Sequence, residues 1–320
     1  GFLGMTISEE WGGAGADNVS LALVIEEISA ADAACGLLVG LQNSVVCAPI
    51  NQFGTNEQKE RYLRPAARGE IRGCFCLTEP QAGSDASNLR TTADLRGNRY
   101  VINGSKQFIS SGASADIALI FGVTDSDSGK KGISAFIVPT DSPGYRVVAK
   151  EDKLGQRASD TCQLSFEDLE VFPDMVLGEL GEGYRIALAN LEGGRIGIGA
   201  QALGIARAAY EAALSYAKER ESMGKAIIQH QAVAFRLADM ATKIEVARQM
   251  IWHAAALKDS GRPALKEACM AKLFASEMAV PRQFKFMVGM ALYAVILWRD
   301  FGVTCGCARF TRALAMCSVW

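Results

Sequence analysis

Cys74-Phe75-Cys76-Leu77-Thr78-Glu79-Pro80-Gln81-Ala82-Gly83-Ser84-Asp85 decides how the chain is organised. Taken singly, its residues read as a strand running into a surface turn: Cys74 and Cys76 stand two apart and share a face, and Pro80 and Gly83 punctuate the residues after them. The stretch sits at the front of a segment, Ile71 to Val176, made of short apolar runs such as 116–121 and 133–138 between Gly, Asp, Ser and Pro turns. That pattern predicts a β-rich domain. Within it, Leu95 to Gly104 reads as a hairpin followed by a second turn, with glycine where a positive φ is needed.

On both sides the pattern is helical. From Ser20 to Cys35 and from Asn56 to Ala67, apolar residues recur three and four apart, which predicts a small helical domain ended by Pro65 and the Arg68-Gly69-Glu70 turn. Gly178 to Tyr184 reads as a linker. Helical periodicity then resumes over Arg185–Arg220, Gln231–Asp259 and Ala264–Met278, three members of a bundle, with Gly261-Arg262-Pro263 joining the last two. The predicted fold is therefore α+β and multidomain: a helical N-terminal domain (1–70), a central β-barrel-like domain (71–176) and a C-terminal helical bundle (177–279), followed by a tail of different character (280–320). A doubly wound sheet, which alternates strands and helices, is excluded.

With 320 residues, 49% of them apolar, and a formal net charge of −2, the chain can bury a large core in more than one layer and reads as a soluble globular protein. No basic cluster points to nucleic acid, and no N-terminal stretch has the zones of a signal peptide. Gly1 opens directly into an apolar, strand-like run to Ile7, so an upstream helical segment, with any targeting peptide, is expected to precede it. The nine cysteines lack metal-ligand spacing and read as reduced core thiols. With His230 and His253 as the only histidines, no metal site is expected and a Ser-His-Asp hydrolase has little to draw on.

As an ordered run in front of a β domain, Phe75 to Ser84 resembles the flavin signature of the acyl-CoA dehydrogenases, and the resemblance extends from Gly1 to about Met278. It implies FAD as cofactor, the fold of that family in incomplete form, and a segment lying along one edge of the isoalloxazine. Hydride arriving at flavin N5 puts negative charge toward N1 and O2, so hydroxyls and N–H groups fixed there favour reduction. By resemblance Phe75, Leu77, Thr78, Gly83 and Ser84 bind the cofactor; Gly83-Ser84 lets the backbone approach the pyrophosphate, and Ser84 also approaches the acyl-CoA. A second match, Gly104-Ser105-Lys106-Gln107-Phe108-Ile109-Ser110, implies that Phe108 packs on the flavin and that Ile109 and Ser110 adjoin it; most relatives carry Trp at position 108, and alone the residue reads as an ordinary core Phe. Leu191-Glu192-Gly193-Gly194-Arg195, read as the head of the first long helix, implies that Glu192 and Arg195 line the acyl-CoA pocket, although an acid near a helix N-terminus is also plain dipole chemistry. Arg220 to Lys225 with His230-Gln231 resembles the motif by which Arg220 and Gln231 hold the adenosine pyrophosphate of a neighbouring subunit's flavin, which implies a homotetramer or homodimer.

The implied reaction is dehydrogenation of a fatty or branched acyl-CoA to its trans-2-enoyl-CoA: a glutamate removes the pro-R α-hydrogen, the β-hydrogen leaves as hydride to N5, and electrons pass to an electron-transfer flavoprotein. The implied location is the bacterial cytoplasm, or the mitochondrial matrix in a eukaryote. One branch of the family carries its base just before Arg195, where this chain has Gly194. After Glu277 only Asp300 is acidic. Phe286 to Trp298 is apolar but short of the roughly 20 residues a bilayer needs, so no membrane span is expected. A shifted reading frame would account for the change: synonymous codons for Gln283–Met290 can be chosen that regroup to Ala-Ile-Gln-Ile-His-Gly-Gly-Tyr, which resembles a family motif. Codons chosen likewise for Phe310–Met316 regroup to Tyr-Glu-Gly-Thr-Ser-Asp, which resembles the segment where most of the family carries its base. No catalytic base is then in frame; it is encoded across Thr311 and Arg312, with Glu192 as the internal alternative. Two other readings are a catalytically dead dehydrogenase-like chain and an acyl-CoA oxidase or monooxygenase of the same fold.

Overall fold

The computed structural model describes residues 1–279. In chain order its helices are α1 (Asn18–Ala31), α2 (Ala33–Leu41), α3 (Ala48–Phe53), α4 (Asn56–Gln58), α5 (Arg64–Arg68), α6 (Gly183–Glu219), α7 (Gln231–Asp259) and α8 (Leu265–Ala279). The strands are β1 (Gly73–Cys76), β2 (Thr92–Arg96), β3 (Arg99–Ser110), β4 (Ile117–Val123), β5 (Ile133–Pro139), β6 (Tyr145–Lys150), β7 (Thr161–Val171), β8 (Val176–Leu177), β9 (Glu221–Ser222) and β10 (Lys225–Ala226). Two compact units result, one of residues 1–17, 38–152 and 158–194, the other, among the described residues, of 18–37, 153–157 and 195–279.

The first unit is built on one sheet, in the order β6-β7-β3-β2-β4-β5-β8, with β1 running parallel to β4. β4 and β5 are apolar without alternation because both of their faces are covered. On one face Ile117, Leu119, Phe121 and Ile137 pack with Ile7, Val46, Ile50 and Leu63. On the other, Ala118, Ile120 and Phe136 meet Ile102, Leu164 and Phe166, and side chains from β1 through β7 converge on that core. The helical part of the unit is anchored to the sheet by buried amides. A π-helical turn, Gln42–Cys47, presents Gln42, which bonds Gly73 in both directions (2.9 and 3.2 Å) and so sets the start of β1. Thr55 and Gln58 form a capping box at α4, and the Gln58 amide reaches the carbonyls of Asp174 and Val176 at 2.8 Å each.

Several expectations are corrected. Gly1 to Ile7 is not strand-like: Phe2–Gly4 is a 3-10 turn, and Gly4 lies so close to Ala67 that a Cβ there would fall 2.5 Å from its Cα. Pro65 does not end the helix, because the π-helical turn Lys59–Leu63 precedes it and α5 continues through it to Arg68, where Gly69 (φ 79°) stops it. The helix expected over Ser20–Cys35 breaks at Asp32, whose carboxylate accepts the amides of Ala34 (2.8 Å) and Cys35 (3.2 Å) and so starts α2 afresh. The hairpin turn at Gly97-Asn98 is present, but Gly104 (φ 149°) makes no second turn. β3 continues through it, with a register shift against β7 between Ile102 and Gly104, and a Cβ at Gly104 would lie 2.5 Å from the Thr91 hydroxyl.

The second unit is helical. Leu237, Met240, Ile244, Ala247, Ile251 and Ala254 form the buried seam of α7, at alternating spacings of three and four, while Ala268, Ala271 and Ala275 let α8 approach closely. Buried Glu26 on α1 receives Arg248 (2.8 Å) and Arg207 (3.5 Å), and Asp259 at the end of α7 accepts the Asn18 and Val19 amides that open α1. Free thiols at Cys47, Cys74, Cys76 and Cys162 are in the core, as expected; those at Cys35 and Cys269 are exposed. By length and composition Ala33–Phe53 could cross a membrane, but most of it is buried within the fold. The apolar run Phe286–Trp298 and the codons of Thr311 and Arg312 lie outside the described residues.

Candidate functional site

β1 carries the signature into position. Phe75 pairs with Leu119 of β4 and tilts its ring onto Phe121, 4.8 Å between centroids. Leu77 turns into the core and Thr78 is half-buried at the strand's end. Glu79 and Ala82 then exchange two backbone hydrogen bonds of 3.0 Å, closing a tight turn around Pro80-Gln81 and leaving Gly83 and Ser84 exposed. A Cβ on Gly83 would meet nothing within 4 Å, so no crowding among the described residues demands glycine there. Neither the Thr78 nor the Ser84 hydroxyl has a partner among the described residues. Open backbone and free hydroxyls at this bend fit a large polar cofactor laid against it.

The second motif is shaped by a β-bulge. Up to Lys106, the even-numbered residues of β3 (Tyr100, Ile102, Lys106) face inward. Against β7, Lys106 pairs with Leu164 and Ile109 with Cys162, so Gln107 and Phe108 together oppose Gln163 alone. The extra residue reverses the alternation: Ile109 goes into the core, and Phe108 swings out with φ 59° and 63% of its surface exposed. Phe108 is thus not the ordinary core Phe that its neighbours suggest in sequence. A bulky residue in the left-handed region costs of order 1–3 kcal/mol and persists only where its surroundings impose it. Here they do: Gln107 N donates to Thr78 O (2.8 Å), Ser111 N to Asp160 O (2.9 Å), and the Asp160 carboxylate accepts Ala113 N (2.8 Å) and the Ser114 hydroxyl (2.7 Å). These bonds hold the Asp160 carboxyl below its usual range against the opposing effect of burial. The Gln107–Thr78 bond clasps the two motifs side by side. Ser110 is half-buried beside them, paired with Thr161.

Beneath the clasp lies a pair that the motifs alone do not announce. Lys106 is fully buried, and its ammonium donates to Glu79 Oε1 (2.8 Å) and Leu77 O (3.1 Å). Glu79, 3% exposed, also accepts the amides of Arg90 (2.6 Å) and Thr91 (3.1 Å) and the Gln81 side chain (2.7 Å). Burial alone would raise the Glu79 carboxyl; the Lys106 charge and these hydrogen bonds outweigh it and hold it below its ordinary value. Burial lowers the Lys106 ammonium, and Glu79 restores part of the loss. The signal was present in the sequence as a lysine at an inward-facing position of β3.

Glu192 is not at a helix head. α6 begins at Gly183, where a Cβ would fall 2.6 Å from the Ser134 backbone of β5, so Glu192 is the tenth residue of the helix and beyond the reach of its dipole. It is half-buried, and Gly194 two residues on faces Ser44. In the second unit Arg195 is half-buried on α6. Arg220 follows the end of α6 and enters the β9–β10 hairpin, whose turn is Met223 (φ 55°) and Gly224 (φ 74°). Arg220 O accepts Ile227 N (2.8 Å), and His230, just before α7, bonds the Ser222 carbonyl (3.1 Å). The hairpin thereby brings the Arg220 backbone to the approach of α7, where Gln231 is the exposed first residue, and among the described residues the Arg220 guanidinium has no ion-pair partner.

Family models match the chain in order: "Acyl-CoA dehydrogenase, N-terminal domain" over 1–70, "middle domain" over 74–169 and "C-terminal domain" over 181–283. An acyl-CoA dehydrogenase of Bacillus subtilis (strain 168) is 50% identical over 280 residues, 88% of this chain and 74% of that protein. The mitochondrial short-chain specific acyl-CoA dehydrogenase of Homo sapiens is 46% identical over 279 residues, 87% and 68%. Among solved structures, butyryl-CoA dehydrogenase from Megasphaera elsdenii superposes with a TM-score of 0.89 at 39% identity, covering 100% of this chain and 83% of that one. The two motifs clasped at Thr78 and Gln107 are set in the helical, β and helical domains of one enzyme family, and the chain belongs to it: the FAD-dependent acyl-CoA dehydrogenases.

Proposed function

We propose that the gene encodes an α,β-dehydrogenase of short-chain acyl-CoA thioesters, forming trans-2-enoyl-CoA, and that the chain as translated lacks the base of that reaction. The observation that carries the reading is the bulge that turns Phe108 outward beside the open Gly83-Ser84 backbone. FAD, when bound, supplies the hydride acceptor. Phe108 then offers a ring face, Thr78, Ser84 and Ser110 offer hydroxyls, and Phe75, Leu77 and Ile109 fix the backbone from which those groups project. Glu192 and Arg195 are assigned to the acyl-CoA pocket, and Arg220 and Gln231 to the flavin of a neighbouring subunit in a homotetramer or homodimer. The short-chain preference is drawn from the human and Megasphaera relatives. An electron-transfer flavoprotein is the proposed electron acceptor, and the proposed location is the cytoplasm in a bacterium or the mitochondrial matrix in a eukaryote. Domain boundaries at 70/71 and 176/177 lie near the ends of the family matches.

The base is assigned to the glutamate recovered by regrouping the codons of Thr311 and Arg312. Enclosure by a bound acyl chain raises such a carboxyl toward neutrality and makes it a competent base. Anaerobic addition of butyryl-CoA should bleach the absorbance near 450 nm in a frame-restored protein and not in the present chain. Bleaching by the present chain would overturn the assignment. The scarcity of acids after Glu277 favours a second reading, a chain that holds flavin or acyl-CoA and catalyses nothing; a flavin spectrum that thioesters leave unbleached even after frame restoration would support it. An oxidase or monooxygenase of the same fold would instead show rapid reaction of its reduced flavin with O₂.

A further inference from the structure

We propose that the buried Lys106–Glu79 ion pair is the positioning device of the flavin site, holding residues 77–91 and the Phe108 bulge in the shape that receives the cofactor. The inference rests on the flavin reading of this site. Its own ground is connectivity. From one carboxylate and one ammonium, bonds run to Leu77 O at the end of β1, to the Gln81 side chain in the tight turn, and to the amides of Arg90 and Thr91 on the return to β2. Lys106 is also the last residue before the bulge. The exposed bend at Gly83-Ser84 is therefore pinned on both sides by the same carboxylate.

Energetics argue that the pair is there for shape. Removing two charges from water costs several kcal/mol per ion, and well-packed apolar residues in place of a buried pair are often neutral or stabilising. An apolar pair could pack the same space, but it could not accept two converging backbone N–H groups or donate to the Leu77 carbonyl. Among the described residues, the titratable groups acting on Lys106 are Glu79 and the buried Cys76 thiol, which burial and the adjacent Cys74 keep protonated. The Lys106 ammonium therefore faces one carboxylate, that of Glu79 at 2.8 Å, and the Cys76 thiol adds no second anion.

The test uses the full chain in three forms: unsubstituted, Lys106→Met, and the double variant Lys106→Met with Glu79→Gln. Two quantities are read, amide exchange by mass spectrometry and FAD affinity by titration with quenching of flavin fluorescence. Lys106→Met leaves an unpaired buried carboxyl and should raise exchange over 77–91 and weaken FAD at least about tenfold, the effect of losing one charge-assisted hydrogen bond. The double variant removes both charges. Protection of β4 should return to the unsubstituted level, while exchange over 77–91 stays high and FAD stays weak, because Leu77 O and Arg90 N remain without partners. Recovery of FAD affinity in step with β4 protection would show that the pair merely stabilises the fold and would overturn the proposal, as would an unchanged FAD affinity in Lys106→Met. If the unsubstituted chain bound no FAD at all, the flavin reading would fail instead, and exchange over 77–91 in the two variants would still decide whether the pair holds the loop.

Discussion

Substituting Glu79 by glutamine should make the site's stability climb more steeply with pH than it does in the parent. Glutamine keeps the shape of the side chain, and its single carbonyl oxygen can still accept Lys106 and the Thr91 amide. Its NH₂ group then points at the Arg90 amide, where the carboxylate accepted at 2.6 Å, so two donors face each other. One buried donor left unpaired costs about 1–3 kcal/mol, and a buried lysine deprived of its counter-charge brings the total to about 3–5 kcal/mol. Lys106 has no surface exposed through which water could relieve it. It must therefore shed its proton in the folded variant, whereas in the unfolded chain it stays charged up to about pH 10.4. Between the depressed folded value and that limit the unfolded state binds one more proton. The variant's stability should thus rise with pH by up to about 1.4 kcal/mol per unit and fall away in acid, while in the parent, where Glu79 restores part of what burial takes from Lys106, the same slope should be weaker. Urea unfolding followed by tryptophan fluorescence between pH 6 and 9 reads this directly. A difference between variant and parent below about 1 kcal/mol, or one independent of pH, would refute the assignment of a charged, paired lysine.

Other substitutions separate cofactor contacts from folding. Gly83→Ala has open space for its methyl and no positive φ, so stability should stay within about 0.5 kcal/mol of the parent while FAD binding weakens; equal loss of both, by thermal melts and flavin titration, would place Gly83 among structural residues. Arg220→Ala in a frame-restored protein should weaken FAD retention and oligomer stability together, by about 1.5–3 kcal/mol, and full flavin occupancy on dilution would remove Arg220 from the site. Glu192→Gln should leave butyryl-CoA bleaching intact in a frame-restored protein, whereas a glutamine at the restored glutamate should slow it by roughly 10² to 10⁴; the opposite ranking in stopped-flow absorbance would make Glu192 the base.

The parts of this molecule legible in the sequence are those in which local pattern and tertiary context agree. Periodicity alone bounds α7 at Gln231 and Asp259, because its buried seam is a regular repeat and Gly261-Arg262-Pro263 cannot continue a helix. The elements misread are those in which a contact far along the chain decides the conformation. Gly104 looks like a turn residue; it is a strand residue pressed against Thr91. Pro65 looks like a terminator, but a π-helical turn before it lets the helix pass. Phe108 is the instructive case. Period-two alternation places it inside with Lys106, and one extra residue opposite Gln163 reverses the assignment, exposing the aromatic ring and burying Ile109. No single-residue preference encodes that reversal. It arises from an inward lysine that must find a carboxylate, a carboxylate that must collect the amides at Arg90 and Thr91, and a backbone clasp at Thr78 that leaves Phe108 nowhere to go but outward. The flavin motif could be recognised as a string of residues; the bonds that the Lys106–Glu79 pair adds to give it shape run between positions up to 29 residues apart.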